Sequence, residues 1–87
     1  MARSRKATKS LWSKEHRAFC ALLRETREQA GMTQTELAKR LGKPQSFVAK
    51  FEGGERRLDV VEFLEVARAL GADPIRIIRA LLKGSRP

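Results

Sequence analysis

Apolar residues along this chain recur in bursts three and four positions apart, the bursts end at glycines, and no stretch alternates with period two. An all-α fold of five helices is the expectation. From about Lys14 to Ala30, Phe19, Leu22, Leu23 and Ala30 form one stripe ahead of Gly31. Thr33 and Glu36 then stand at T-x-x-E spacing, so that the hydroxyl can accept from the Glu36 amide while the carboxylate reaches back to the cap N–H. A second helix therefore starts near Gln34. Leu37, Ala38 and Leu41 supply its inner face, and Gly42, able to take φ > 0, lets the chain leave sharply. After a short turn a third helix begins at Gln45 and ends at Gly53-Gly54. Asp59 and Glu62 repeat the capping-box spacing and open a fourth, whose core stripe is Val60, Phe63, Leu64, Ala67 and Leu70 before Gly71. Asp73 as cap and Pro74 at the first position begin a fifth helix, which Gly84 closes.

The third helix is the informative one. Stepping about 100° per residue from Gln45 puts Phe47, Val48 and Phe51 between roughly 200° and 300°, on a side that wants a core. Gln45, Ser46, Ala49 and Lys50 fall between about 0° and 140°, on a small polar face with no acidic residue, and Glu52 lies at the border. Such a face suits a DNA groove: Gln bonds bidentately to an adenine edge, Ser meets any base, Ala meets a thymine methyl, and Lys reaches guanine or a phosphate.

Composition narrows the function classes. With 87 residues the chain is one small domain, and 19 Lys+Arg against 10 Asp+Glu leave a net charge of +9, which favours polyanion partners through counterion release and steering. Cys20 is the only cysteine and His16 the only histidine, so there is neither a disulfide nor a metal-ligand set, and no nucleophile-base pair for an enzyme. No cofactor is expected. Cys20 lies beside the stripe of the first helix and is expected to be a buried, inert thiol; His16 is expected at the surface. The basic start of the chain lacks a following apolar segment, and no stretch approaches the roughly 20 apolar residues of a membrane span. A cytoplasmic protein without a membrane partner is expected.

Residues 1–11, with Arg3, Arg5, Lys6 and Lys9 and no acid, read as a basic flexible arm, either a solubilising leader or a segment that lies along DNA phosphates. Residues 12–84 form the domain, with Trp12 packing on its edge, and 85–87 a C-terminal tail. The apolar arc of the fifth helix is wide, about 160°, with Ile75, Ile78 and Leu82 on one stripe and Ile77 and Leu81 on its neighbour. A homodimer surface through Ile77, Leu81 and Leu82 competes with full burial of that helix, because such a patch seldom stays exposed.

TQTELAKRLG followed by PQSFVAKFEGGER resembles the helix-turn-helix of the lambda repressor and Cro family, also called XRE-type regulators, over roughly Phe19 to Ile78. The resemblance implies a compact five-helix DNA-binding domain whose second and third helices read DNA, usually as a dimer on a two-fold symmetric operator with half-sites about 34–36 Å apart. It implies base contacts from the outward face of the third helix, and it makes Gln34 a phosphate anchor through its backbone amide that also braces Gln45. Lys43, Arg56 and Arg57 are the further phosphate candidates, the two arginines lying where the family's phosphate-contacting loop falls. Arg27, on the inner side of the first helix, is implied to pair with Glu52 as a clamp holding the recognition helix. Two positions depart from the family pattern. Pro44 replaces the Ser or Thr that commonly caps the recognition helix, and Phe47 replaces a small polar residue, either as core or as a wedge against the sugar-phosphate backbone.

The leading function on these grounds is sequence-specific binding of a double-stranded DNA operator by a transcriptional regulator, a repressor. The rival is a protein-interaction module, an antitoxin or bridging factor, that holds a partner protein on the fifth helix and autoregulates its promoter.

Overall fold

The structure, a computed structural model, describes the backbone of residues 2–84 and the side chains of residues 14–84. Five helices follow one another: α1 (Ala2–Gln29), α2 (Gln34–Leu41), α3 (Gln45–Glu52), α4 (Val60–Leu70) and α5 (Pro74–Gly84). Among the described residues there is no strand. The backbone is helical from Ala2, ahead of the helix start near Lys14 that the apolar pattern predicted. Propensity explains the difference: no glycine or proline interrupts Ala2–Gln29, and Ala, Arg, Lys, Leu and Glu are strong helix formers even where no apolar stripe is present. The Trp12 ring and the tail at 85–87 lie outside the described residues.

The predicted caps form. Thr33 Oγ1 accepts from the Glu36 amide at 3.0 Å, and Glu36 Oε1 accepts from the Thr33 amide at 2.8 Å. Gly42 leaves α2 at φ 67°, and the Lys43 amide donates back to Ala38 O at 3.0 Å, so the chain turns within two residues and α3 can start at once. Asp59 and Glu62 close the same reciprocal box on α4, and Asp73 Oδ1 accepts from the Ile75 amide at 2.9 Å at the head of α5.

One core joins all five helices. Leu23 of α1, Leu37 of α2, Val48 and Phe51 of α3 and Val66 of α4 are its most deeply buried large side chains, joined by Phe63, Leu70 and Ile77. Each such side chain contributes about 1.5–3 kcal/mol on burial, so Val48 and Phe51 anchor α3 along one side and fix which side faces out. Phe19 meets Phe63 edge-on at 5.3 Å between ring centroids, closing α1 over α4.

Val60, expected in the core stripe of α4, is instead 73% exposed; Ile77 takes the buried alternative of the two open for α5, and His16 is not at the surface. Ile77, a dimer-interface candidate, is core, only 6% exposed, because α5 packs on α1 through that stripe and Leu81, one turn on, is half-buried. Ile75, Ile78 and Leu82 are instead the exposed stripe of α5. His16 is half-buried rather than superficial: its Nε2 lies 3.2 Å from Gly54 O and 3.8 Å from Cys20 Sγ. Cys20 is buried as expected, and that burial pushes its thiol above its ordinary range.

Candidate nucleic-acid interface

The outward side of α3 carries the four residues the helical wheel selected. Gln45, Ser46 and Lys50 are exposed and Ala49 is half-buried between them, while Val48 and Phe51 face the core. Pro44 stands at the N-cap at φ −67° with no side-chain cap bond, so the hydroxyl bond worth about 0.5–2 kcal/mol in a Ser- or Thr-capped helix has no counterpart. The helix is held in place from its side and its far end instead.

That hold is a hydrogen-bonded chain. Arg27 of α1, 8% exposed, donates from Nε to Glu52 Oε2 at 2.7 Å and from Nη2 to Glu52 Oε1 at 3.1 Å, and its Nη1 donates to Met32 O at 2.7 Å. Glu52 Oε1 also accepts from Gln34 Nε2 at 2.9 Å, and Gln34 Oε1 accepts from Gln45 Nε2 at 2.8 Å. The clamp between Arg27 and Glu52 and the brace between Gln34 and Gln45 are therefore one network across α1, α2 and α3. The Glu52 carboxylate holds the Arg27 guanidinium above its ordinary pKa, so the arginine stays charged at every accessible pH. Among the described residues no buried side-chain polar atom lacks a partner.

The phosphate candidates lie along the edges. Lys43 is exposed in the α2–α3 turn and Arg56 and Arg57 are exposed in the loop after α3, while Gln34 opens α2 half-buried. Phe47 gathers two of these cations: Lys43 Nζ lies 5.5 Å and the Arg56 guanidinium carbon 5.2 Å from its ring centroid. The ring itself stands edge-on to Phe51 at 5.5 Å, which resolves its ambiguous place on the wheel: half-buried, with its inner edge on the core. Arg56 is engaged a second time, Nη2 donating to Glu62 Oε2 at 2.6 Å. Asp59's backbone amide first and this arginine second hold the Glu62 carboxyl below its ordinary pKa.

Sequence reasoning missed Arg24. It lines a surface depression with Arg27, Gln34, Ala49, Glu52 and Gly53, beside the outward face of α3, and pairs with Glu28 at 3.6 Å with both side chains more than half exposed. Its spacing three residues before Arg27 puts it on the same flank of α1, which is the signal that points to it.

A protruding, acid-poor helix, docked through a tight turn onto a capped partner helix, defines a DNA-reading module. The chain belongs to the helix-turn-helix domain family, whose pattern matches residues 18–77, and its class is that of DNA-binding transcriptional regulators of the XRE type. It is 48% identical to an XRE-family like protein from Pseudomonas syringae pv. tomato str. DC3000, covering 92% of this chain and 98% of that one, with a TM-score of 0.85. The restriction-modification controller protein C.AhdI from Aeromonas hydrophila is 32% identical, over 75% of this chain and 94% of its own, with a TM-score of 0.69. An uncharacterized HTH-type transcriptional regulator from Methanothermobacter thermautotrophicus is 37% identical over 57 residues, 66% of this chain and 83% of the relative.

Proposed function

We propose that this protein is a repressor that binds a two-fold symmetric operator as a homodimer, laying α3 in the major groove. Gln45, Ser46, Ala49 and Lys50 meet base edges; Gln34, Lys43, Arg56 and Arg57 meet phosphates. The carrying observation is that the outward side of α3 holds Gln45, Ser46, Ala49 and Lys50, none of them acidic or bulky and apolar, while Val48 and Phe51 seat its other side in the core. Repression needs nothing beyond occupancy: a domain this size covering a promoter blocks polymerase by exclusion. The net charge of +9 supports steering toward DNA and a steep salt dependence. A cytoplasmic site of action beside DNA accords with the helix-turn-helix family and with the buried thiol of Cys20, which suits a reducing compartment.

Selection of bound sites from random duplexes is the test. A symmetric consensus with half-sites one helical turn apart is the expected result, and recovery of random sequence alone would overturn the reading. A second reading is favoured by one observation, the exposed apolar side chains of α4 and α5: Val60 and Ile78 line one depression, and Val61, Ile75 and Leu82 are exposed on the same two helices. That surface serves either a second copy of this chain or a protein partner, as an antitoxin or bridging factor would require. Sedimentation of the purified protein alone separates the two: a dimer at micromolar concentration supports the homodimer, a monomer the partner protein.

A further inference from the structure

The chain from Arg27 to Gln45 has a direction. A guanidinium only donates and an ionised carboxylate only accepts, so Glu52, taking two bonds from Arg27, offers Gln34 nothing but acceptor oxygen. Gln34 must turn its NH₂ toward Glu52, at 2.9 Å, which leaves its Oε1 toward α3. Gln45 must in turn offer an N–H to that oxygen, at 2.8 Å. What remains on Gln45, whose side chain is exposed at the start of α3, is its carbonyl oxygen and one N–H. The two ends of a glutamine amide have nearly the same shape, so packing does not choose between its two orientations. Reversing Gln34 would put its oxygen against the Glu52 carboxylate and its NH₂ against that of Gln45, and reversing Gln45 would put its oxygen against Gln34 Oε1. The charge on Glu52 therefore sets which end of Gln45 is engaged by the protein and which is left for a base.

An oxygen and an N–H side by side complement the N6 amino group and N7 of adenine, whereas guanine shows two acceptors at the same positions. We propose that Arg27 and Glu52 are positioning residues for base specificity: acting through Gln34, they hold the Gln45 amide in the orientation that prefers adenine over guanine. The inference rests on Gln45 being a base contact. It assigns part of the specificity to residues that touch no DNA and to a helix outside the helix-turn-helix unit.

The experiment compares equilibrium binding to operator duplexes carrying adenine or guanine at the position selected by Gln45, with random-sequence duplex as reference. Three variants are used beside the parent. Gln45→Ala removes the reader. The double substitution Arg27→Met with Glu52→Met replaces the pair by apolar side chains of similar length and leaves no lone buried charge. Gln34→Met breaks the chain but keeps the Arg27–Glu52 clamp, so its result does not depend on whether the double variant folds. Expected is a loss of the adenine-over-guanine preference by at least about fivefold in both relay variants, read as the ratio of the two affinities so that any loss of the Gln34 phosphate contact, which weakens all duplexes alike, cancels. A parental adenine preference in Gln34→Met, with Gln45→Ala losing it, would overturn the relay while leaving Gln45 as reader. An unchanged preference in Gln45→Ala would overturn both.

Discussion

Arg27 Nε and Glu52 Oε2, 25 residues apart in sequence, lie 2.7 Å from each other and join the last turn of the domain's longest helix to the last residue of its reading helix. Their side chains are only 10% and 4% exposed, which puts the pair in the regime where desolvation rivals attraction rather than in that of a screened surface pair. Arg27→Met alone should then destabilise by about 3–5 kcal/mol, because it leaves the Glu52 carboxylate buried without its cation. Pairing it with Glu52→Met should restore most of that loss. Urea denaturation of the two variants checks this, and equal destabilisation in both would mean that packing rather than charge explains the loss.

Gln45 and Arg57 should fail in different ways. Gln45→Ala is expected to relax base preference at one operator position by about 1–3 kcal/mol and to leave other positions alone. Arg57→Ala is expected to weaken binding to every sequence and to lower the slope of log affinity against log salt by about one. Titrations of cognate and random duplex at several salt concentrations separate the two effects.

On α5, neighbouring isoleucines should behave oppositely. Ile75 is 56% exposed in the first turn of the helix, where a carboxylate is favoured by the helix dipole, so Ile75→Glu should leave thermal stability within about 1 kcal/mol while shifting sedimentation toward monomer. Ile77→Glu buries an unpaired charge in the core and should lose several kcal/mol, enough to unfold a domain of this size. A dimer that survives Ile75→Glu unchanged would move the interface elsewhere.

Acid should weaken the two capped helices together. Glu36 is held below its ordinary pKa chiefly by the Thr33 amide, and Glu62 by the Asp59 amide and then Arg56. A carboxyl depressed in the folded state contributes stability that is fully present above its unfolded value and is lost as pH falls through the depressed one. Melting temperatures should therefore be flat from neutrality down to the ordinary glutamate range and drop below it. The Glu36→Gln and Glu62→Gln variants should each show a shallower drop in the same series.

Much of the interface was legible in the linear pattern because its causes are local. Capping boxes at Thr33 and Asp59, the left-handed Gly42 and the inward aromatic and aliphatic side chains of α3 act within one or two turns, so spacing alone exposes them. The pairing of Arg27 with Glu52 was legible only through resemblance, since nothing local to either residue names a partner 25 positions away.

What the sequence by itself determined is the set of helices, their ends apart from the start of α1, and the side of α3 that turns away from the core, all products of short-range hydrogen bonding and amphipathic period. Tertiary packing decided the remainder. Which stripe of α5 is buried depended on the surface α1 presented to it, and so Ile77 went inside while Ile75 and Ile78 stayed out. The gathering of Lys43 and Arg56 on the Phe47 ring, and the joining of two separate contacts into one network from Arg27 to Gln45, required three helices and a loop to meet. A side chain's neighbours across such a junction are set by the whole fold, because no residue carries in its own environment the identity of a partner that only folding brings near.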